Sequence, residues 1–107
     1  MIDHATLETL HKSLTGEVLF DKLHQTLYAT DASVYRKIPL AVAFPKDTKD
    51  LKILIEFATK NKITLIPRTA GTSLAGQCVG DGIVVDVSKH FTNIISFDET
   101  LKTITLE

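Results

Sequence analysis

Pro67-Arg68-Thr69-Ala70-Gly71-Thr72-Ser73-Leu74-Ala75-Gly76-Gln77-Cys78-Val79-Gly80-Asp81-Gly82 holds four of the chain's five glycines. An apolar run, Ile63-Thr64-Leu65-Ile66, precedes it, and a second, Ile83-Val84-Val85-Asp86-Val87, follows. The pattern predicts strand, loop, strand. A strand that feeds a loop rich in glycine and hydroxyls can aim successive backbone N–H groups at one point. Such a concavity binds anions, phosphate above all. The same composition also suits a tight surface connection that holds nothing, because Gly and Ser dominate ordinary turns.

Two familiar phosphate loops fail here. Gly71 and Gly76 have the Walker separation, but Gln77 and Cys78 stand where Lys and Ser or Thr are required. Gly80-Asp81-Gly82 is followed by Val85 where the dinucleotide fingerprint needs glycine. What remains is a loop with small residues at Ala70, Gly71, Ala75 and Gly76 and hydroxyls at Thr69, Thr72 and Ser73. Arg68 either adds a charge to the site or braces the loop.

Upstream, Asp47 or Thr48 caps a helix whose apolar stripe is Leu51, Leu54, Ile55 and Ala58, with Phe57 alongside. Asp50 lies in the first turn, where the helix dipole favours negative charge. Lys60 and Lys62 lie near the C-terminus, and Asn61 is the expected C-cap. Leu40-Ala41-Val42-Ala43-Phe44 reads as a strand ended by Pro45. Residues 40–66 therefore form a β–α–β unit, expected to be parallel and right-handed. The glycine loop follows the carboxyl end of its second strand, where open α/β sheets bind ligands. Position and composition together favour a ligand loop over an empty turn.

Toward the N-terminus, Ala5, Leu7, Leu10, His11 and Leu14 mark an amphipathic helix stopped by Thr15-Gly16. Phe20, Leu23, His24 and Leu27 suggest a second helix, capped near Gly16 or Asp21. Tyr28 to Ser33 has no clean period and reads as an ordered loop. Toward the C-terminus, Ser88 to Phe91 reads as one turn or bend. Ile94 to Phe97 and Lys102 to Leu106 form a hairpin turning at Asp98-Glu99-Thr100. Residues 1–37 are expected to be an N-terminal helical segment, and residues 38–107 the binding unit. A stop in mid-strand at Glu107 suggests a fragment of a longer protein, although Leu106-Glu107 also fits a vector-derived tail.

The chain has 107 residues and 44% hydrophobic content, enough for one core. Its net charge of −1 provides no broad basic field for nucleic acid. It contains no apolar run long enough for a membrane span, and Met1-Ile2-Asp3-His4 resembles no secretion signal. The single cysteine, Cys78, rules out an internal disulfide and an all-cysteine metal or iron–sulfur site. It reads as a small buried residue more readily than as a redox centre. A soluble protein of a reducing compartment, the cytoplasm, is expected. The scattered His4, His11, His24 and His90 read as surface or helix-face residues, and Tyr28 and Tyr35 as packing residues.

Phe44-Pro45-Lys46-Asp47-Thr48, the helix after it, and Leu65 through Gln77 resemble the first half of a PCMH-type FAD-binding domain. This flavin module is shared by vanillyl-alcohol-oxidase-like enzymes, glycolate oxidase subunits and D-lactate dehydrogenases. Gly82 to Ser88 fits the same pattern. Leu27-Tyr28-Ala29-Thr30-Asp31-Ala32-Ser33 is similar to the segment before that module in large fused FAD/iron–sulfur dehydrogenases of D-2-hydroxy acids. The resemblance covers about residues 16–107. Its loop motif is specific for the superfamily; the Tyr28–Ser33 match is less specific for the subfamily.

The resemblance implies an α+β (α/β-like) fold: a β–α–β unit with short N-terminal helices and a C-terminal hairpin. It implies that Arg68, Thr69, Ala70, Gly71, Thr72 and Ser73, flanked by Gly76 and Gln77, wrap the FAD pyrophosphate with backbone amides. Members with covalent flavin can carry His at the position of Thr72; Thr cannot make that bond, so non-covalent FAD is implied. The family often has Gly where this chain has Thr69 and Ala70, which adds bulk beside the phosphates. Asp86 is either a support beneath the loop, a buried structural acid or a strand-end cap. The substrate, a small D-2-hydroxy acid, the catalytic groups and any iron–sulfur cluster are implied for the remainder of a larger dehydrogenase. In that larger enzyme, peripheral attachment at the inner membrane is compatible with the family. The chain alone is expected to be inactive, with self-association through uncovered apolar surface. Rival readings are a stand-alone nucleotide- or phosphate-binding module, a purely structural domain, and a cell-wall precursor reductase with the same flavin module.

Overall fold

The computed structural model describes residues 2–107. Helix α1 spans His4–Ser13, β1 Glu17–Leu19, α2 Lys22–Leu27, β2 Ala41–Phe44, α3 Thr48–Asn61, β3 Leu65–Arg68, β4 Ile83–Asp86, β5 Ile94–Asp98 and β6 Thr103–Leu106. Four strands form one sheet in the order β1-β2-β4-β3; β5 and β6 form a separate hairpin. Strands β2 and β3 both run parallel to β4, which lies between them, and β1 is antiparallel on the outer edge of β2. The β2–α3–β3 unit is therefore parallel as expected, but its strands are not neighbours.

Local chemistry explains the element boundaries. Asp47 caps α3, accepting from the amides of Lys49 and Asp50. Its C-cap is Lys62 in the left-handed region at φ 55°, one residue beyond the expected Asn61. Asp21 caps α2 and Asp3 caps α1. The two apolar residues expected to anchor α2 are largely outside the core: Leu23 and Leu27 are exposed. Phe20 precedes that helix and stacks edge-on against His4.

One face of the sheet carries Ala41, Ala43, Ile83 and Val85, packed with Leu7, Leu10 and Leu14 of α1 and Leu54 of α3. Val18 of β1 joins this core. A boundary at residue 37 thus falls inside a shared sheet and core, because β1 precedes that point and pairs with β2. The expected stripe on α3 shifts as well: Leu54 and Ala58 are buried, Ile53 packs at the margin, and Ile55 is exposed. The opposite face, with Val42, Val84 and Ile66, lies beneath the glycine loop; Gly80 rests against the Ile66 side chain. The loop begins at the carboxyl end of β3 and returns to the amino end of β4, where Ile83 N–H donates to Thr64 and Leu40 N–H donates to Gly82.

Asp50 adds a long-range tie. Its buried carboxylate accepts from Thr15, Gly16 and Lys46 N–H, each at 2.8 Å. Burial opposes its ionisation, but donations from Lys46, Thr15 and Gly16 outweigh that effect and hold its carboxyl below the ordinary aspartate value. The hairpin stands apart: every residue of β5 and β6 is exposed. Its loop covers Glu99 to Lys102, so β6 starts at Thr103 rather than Lys102. Leu101 N–H bonds to Asp98, and Lys102 takes φ 51°.

Candidate anion-binding site

The loop leaves β3 at Arg68 and turns through Gly71, whose φ of 67° favours a residue without Cβ. A Cβ there would also lie 2.5 Å from the Arg68 guanidinium. Gly76 repeats the device at φ 78°, with the Tyr35 ring against it. Between these turns, the amides of Ala70, Gly71, Thr72, Ser73 and Leu74 donate to no protein atom among the described residues. Five consecutive unbonded N–H groups at the carboxyl end of a strand form a set of donors suited to an anion. Thr69, Ala70 and Thr72 are exposed and Ser73 is partly so, leaving the segment accessible.

The other expected site residues have different roles. Arg68 donates to the Thr30 carbonyl at 2.8 Å and, more weakly, to the Cys78 carbonyl at 3.5 Å. Its guanidinium lies over the Tyr28 ring, 5.0 Å from the centroid. Of the two roles left open for Arg68, the structure shows bracing. Ser73 and Gln77 turn inward: the Ser73 hydroxyl donates to Gln77 Oε1 and accepts from the Ala75 and Gln77 amides. They shape the bend at Gly76, while the unbonded donors come from residues 70–74.

Asp86 is a strand-end cap that accepts from the Ser88 amide at 2.9 Å and the Ser88 hydroxyl at 2.6 Å. It also accepts from the Tyr28 hydroxyl at 2.6 Å and touches no amide of residues 69–78. Burial, then the bond to Asp86, pushes the Tyr28 hydroxyl up to about 12. Tyr28 stacks edge-on against Phe44, so it ties α2 to the sheet as well as packing. Residues 28–37 lie beside the loop, a contact without a sequence signal because its partners stand 38 to 47 positions apart in the chain. No group of residues suited to a metal ion occurs among the described residues. Nor is any of their helices long and apolar enough to cross a membrane.

A family model described as FAD binding domain matches residues 39–107. The D-2-hydroxyglutarate dehydrogenase of Pseudomonas putida is 36% identical over 96 residues, covering 86% of this chain and 10% of that protein. The D-2-hydroxyglutarate dehydrogenase of Escherichia coli is 31% identical over 94 residues, covering 85% of this chain and 9% of that protein. Glycolate oxidase subunit GlcD of Bacillus subtilis is 30% identical, covering 76% of this chain and 18% of that protein. The chain thus spans between 9% and 18% of the length of these relatives. An alkyldihydroxyacetonephosphate synthase structure superposes with a TM-score of 0.76 over 94% of this chain and 21% of its own, at 14% identity. Wild-type BBE-like 1 from Physcomitrella patens gives 0.68 over 89% and 21%, at 20% identity. These structures share the fold.

Proposed function

The chain belongs to the FAD binding domain family, and from that premise we propose that its residues 69–74 hold the pyrophosphate of FAD. The unbonded amides of Ala70 to Leu74 carry the proposal. They fit a diphosphate in kind: a run of neutral donors that no protein atom among the described residues occupies. Thr69 and Thr72 add hydroxyl donors, Gly71 lets the ligand approach the backbone, and Ser73, Gly76 and Gln77 maintain the following bend. Thr72 offers no nitrogen for a bond to flavin, which favours non-covalent attachment.

In the whole protein, FAD would supply hydride acceptance for oxidation of a small D-2-hydroxy acid of the lactate, glycolate or 2-hydroxyglutarate type. The names and similarity of the relatives support that substrate class. This chain's part is placement. Its amides stabilise the diphosphate with backbone dipoles, and Arg68 braces the loop through the Thr30 and Cys78 carbonyls. Proton transfer and substrate contacts belong to the rest of the protein. The isolated chain turns over no substrate and self-associates through its exposed hairpin. A cytoplasmic location completes the proposal.

The test is titration of the chain, labelled with nitrogen-15, with pyrophosphate, ADP and FAD, followed by amide shifts. Residues 70–74 are expected to move with all three ligands, and FAD to bind most tightly. Equal affinity for ADP and FAD would favour a stand-alone phosphate-binding module. Unmoved amides at 70–74 would overturn both.

A further inference from the structure

Residues 28–37 contain only an isolated bridge between Thr30 and Arg36, yet they bond to the glycine loop at four separate points. Arg68 Nη1 donates to the Thr30 carbonyl at 2.8 Å. Ala32 N–H donates to the Gly71 carbonyl at 3.0 Å. Cys78 N–H donates to Asp31 Oδ2 at 3.3 Å. Lys37 Nζ meets Asp81 Oδ2 at 2.8 Å. Arg68 precedes the unbonded amides, the Gly71 carbonyl lies among them, and Cys78 and Asp81 follow the second turn.

We propose that this segment is a positioning strap for the loop, with Asp31 as its chief positioning residue and the aim of the Thr72 N–H as its product. A trans peptide is planar, with its N–H opposed to its C=O, and the described chain has no cis bond. Once Ala32 holds the Gly71 carbonyl toward the strap, the Thr72 N–H of the same peptide faces away from it. Asp31 fixes the strap itself. Its Oδ1 accepts from Ser33 N–H at 2.8 Å while Oδ2 reaches Cys78. One carboxylate therefore sets the turn that presents Ala32 and clamps the far limb of the loop. The proposal rests on residues 69–74 being the diphosphate cradle and adds what orients them.

Electrostatics make the test decisive in sign. Asp31 is an anion beside an anion site, so a role through charge alone means that its removal strengthens pyrophosphate binding. Positioning means the reverse. Asp31→Ala in the full chain, titrated with inorganic pyrophosphate at fixed ionic strength, should bind about tenfold more weakly, the scale of one lost hydrogen bond to a charged group. In the ligand-free chain, the nitrogen-15 relaxation of residues 70–78 should show lost order while sheet amides stay unchanged. Asp31→Asn removes the charge, keeps one acceptor oxygen and turns an NH2 toward the other amide, so it too should bind more weakly and loosen the loop, whereas a role through charge alone means tighter binding. Equal or tighter binding by Asp31→Ala, or an undisturbed loop, overturns the proposal.

If the wild-type chain shows no pyrophosphate shift, the cradle fails. Loop order in the ligand-free variants then decides the strap by itself, lost order supporting it and unchanged order overturning it. Should Asp31→Ala not fold, Asp81→Ala breaks the exposed tether with the same opposed signs: loosening and weaker binding support the strap, and unchanged loop order or tighter binding overturns it.

Discussion

Asp50 shows how one side chain can serve two scales of structure. In sequence it is an acid in the first turn of a helix, favourable to the dipole and unremarkable. In the fold it is buried and accepts three amide bonds, two from residues 34 and 35 positions away. Those partners had no sequence signal, because nothing local indicates which amides a carboxylate will meet. Asp50→Asn keeps the shape but replaces an acceptor-only group with one that brings its own N–H donors, and should cost about 2–4 kcal/mol in urea unfolding. The pH dependence has a definite sign. Its folded-state pKa is lowered, so the unfolded chain takes up the proton first as pH falls. Its stabilisation is full above the unfolded value near 4 and is lost as pH drops through the lowered folded value. Below about pH 4 the Asn variant should therefore lose less stability than wild type. Parallel acid-unfolding curves would contradict that expectation.

Helix α3 was legible at the scale of the element because its signals are local: a capping aspartate, a 3.6-residue period and cations at its end. Its buried face was less so. Period alone put Ile55 in the stripe, but the neighbouring strand positions decide which side is covered. Leu54 is 0% exposed and Ile55 is 56% exposed. Leu54→Ala should cost about 3 kcal/mol and Ile55→Ala under about 1 kcal/mol, by chemical denaturation. A reversed order would mean that α3 is rotated on the sheet. Strand β1 went unseen because Glu17-Val18-Leu19 is too short to show alternation. The insertion of β4 between β2 and β3 also escaped, since strand order is a non-local property. The glycine loop was legible from composition and position as a turn-rich connection at the carboxyl end of β3. Which of its amides remain available was not, because Asp31, Ser73 and Gly76 engage the others through contacts that appear only on folding.

The whole molecule is longer than its chain length requires. Its radius of gyration is 15.2 Å and its extents are 52 × 34 × 23 Å, against about 13 Å expected for a compact chain of this length. The excess agrees with a hairpin whose residues are all exposed. Pairing places Phe97 opposite Ile104 and Ile94 opposite Leu106, while Ser96 faces Thr105 and Asp98 faces Thr103. The hairpin is thus amphipathic, with an apolar side that no other element covers, and a two-stranded ribbon alone is marginal in water. Its contribution to the four-stranded sheet should be small. A chain ending at residue 92 should unfold within about 1 kcal/mol of the full chain at low concentration, because burial drives stability and the hairpin shares almost none. Sedimentation velocity should separate the two at higher concentration: the full chain should sediment faster as apolar faces meet, and the shortened chain should not. A large loss of stability on shortening would instead mean that the hairpin folds back in solution over the apolar pocket lined by Leu51, Ile55, Leu65 and Val87.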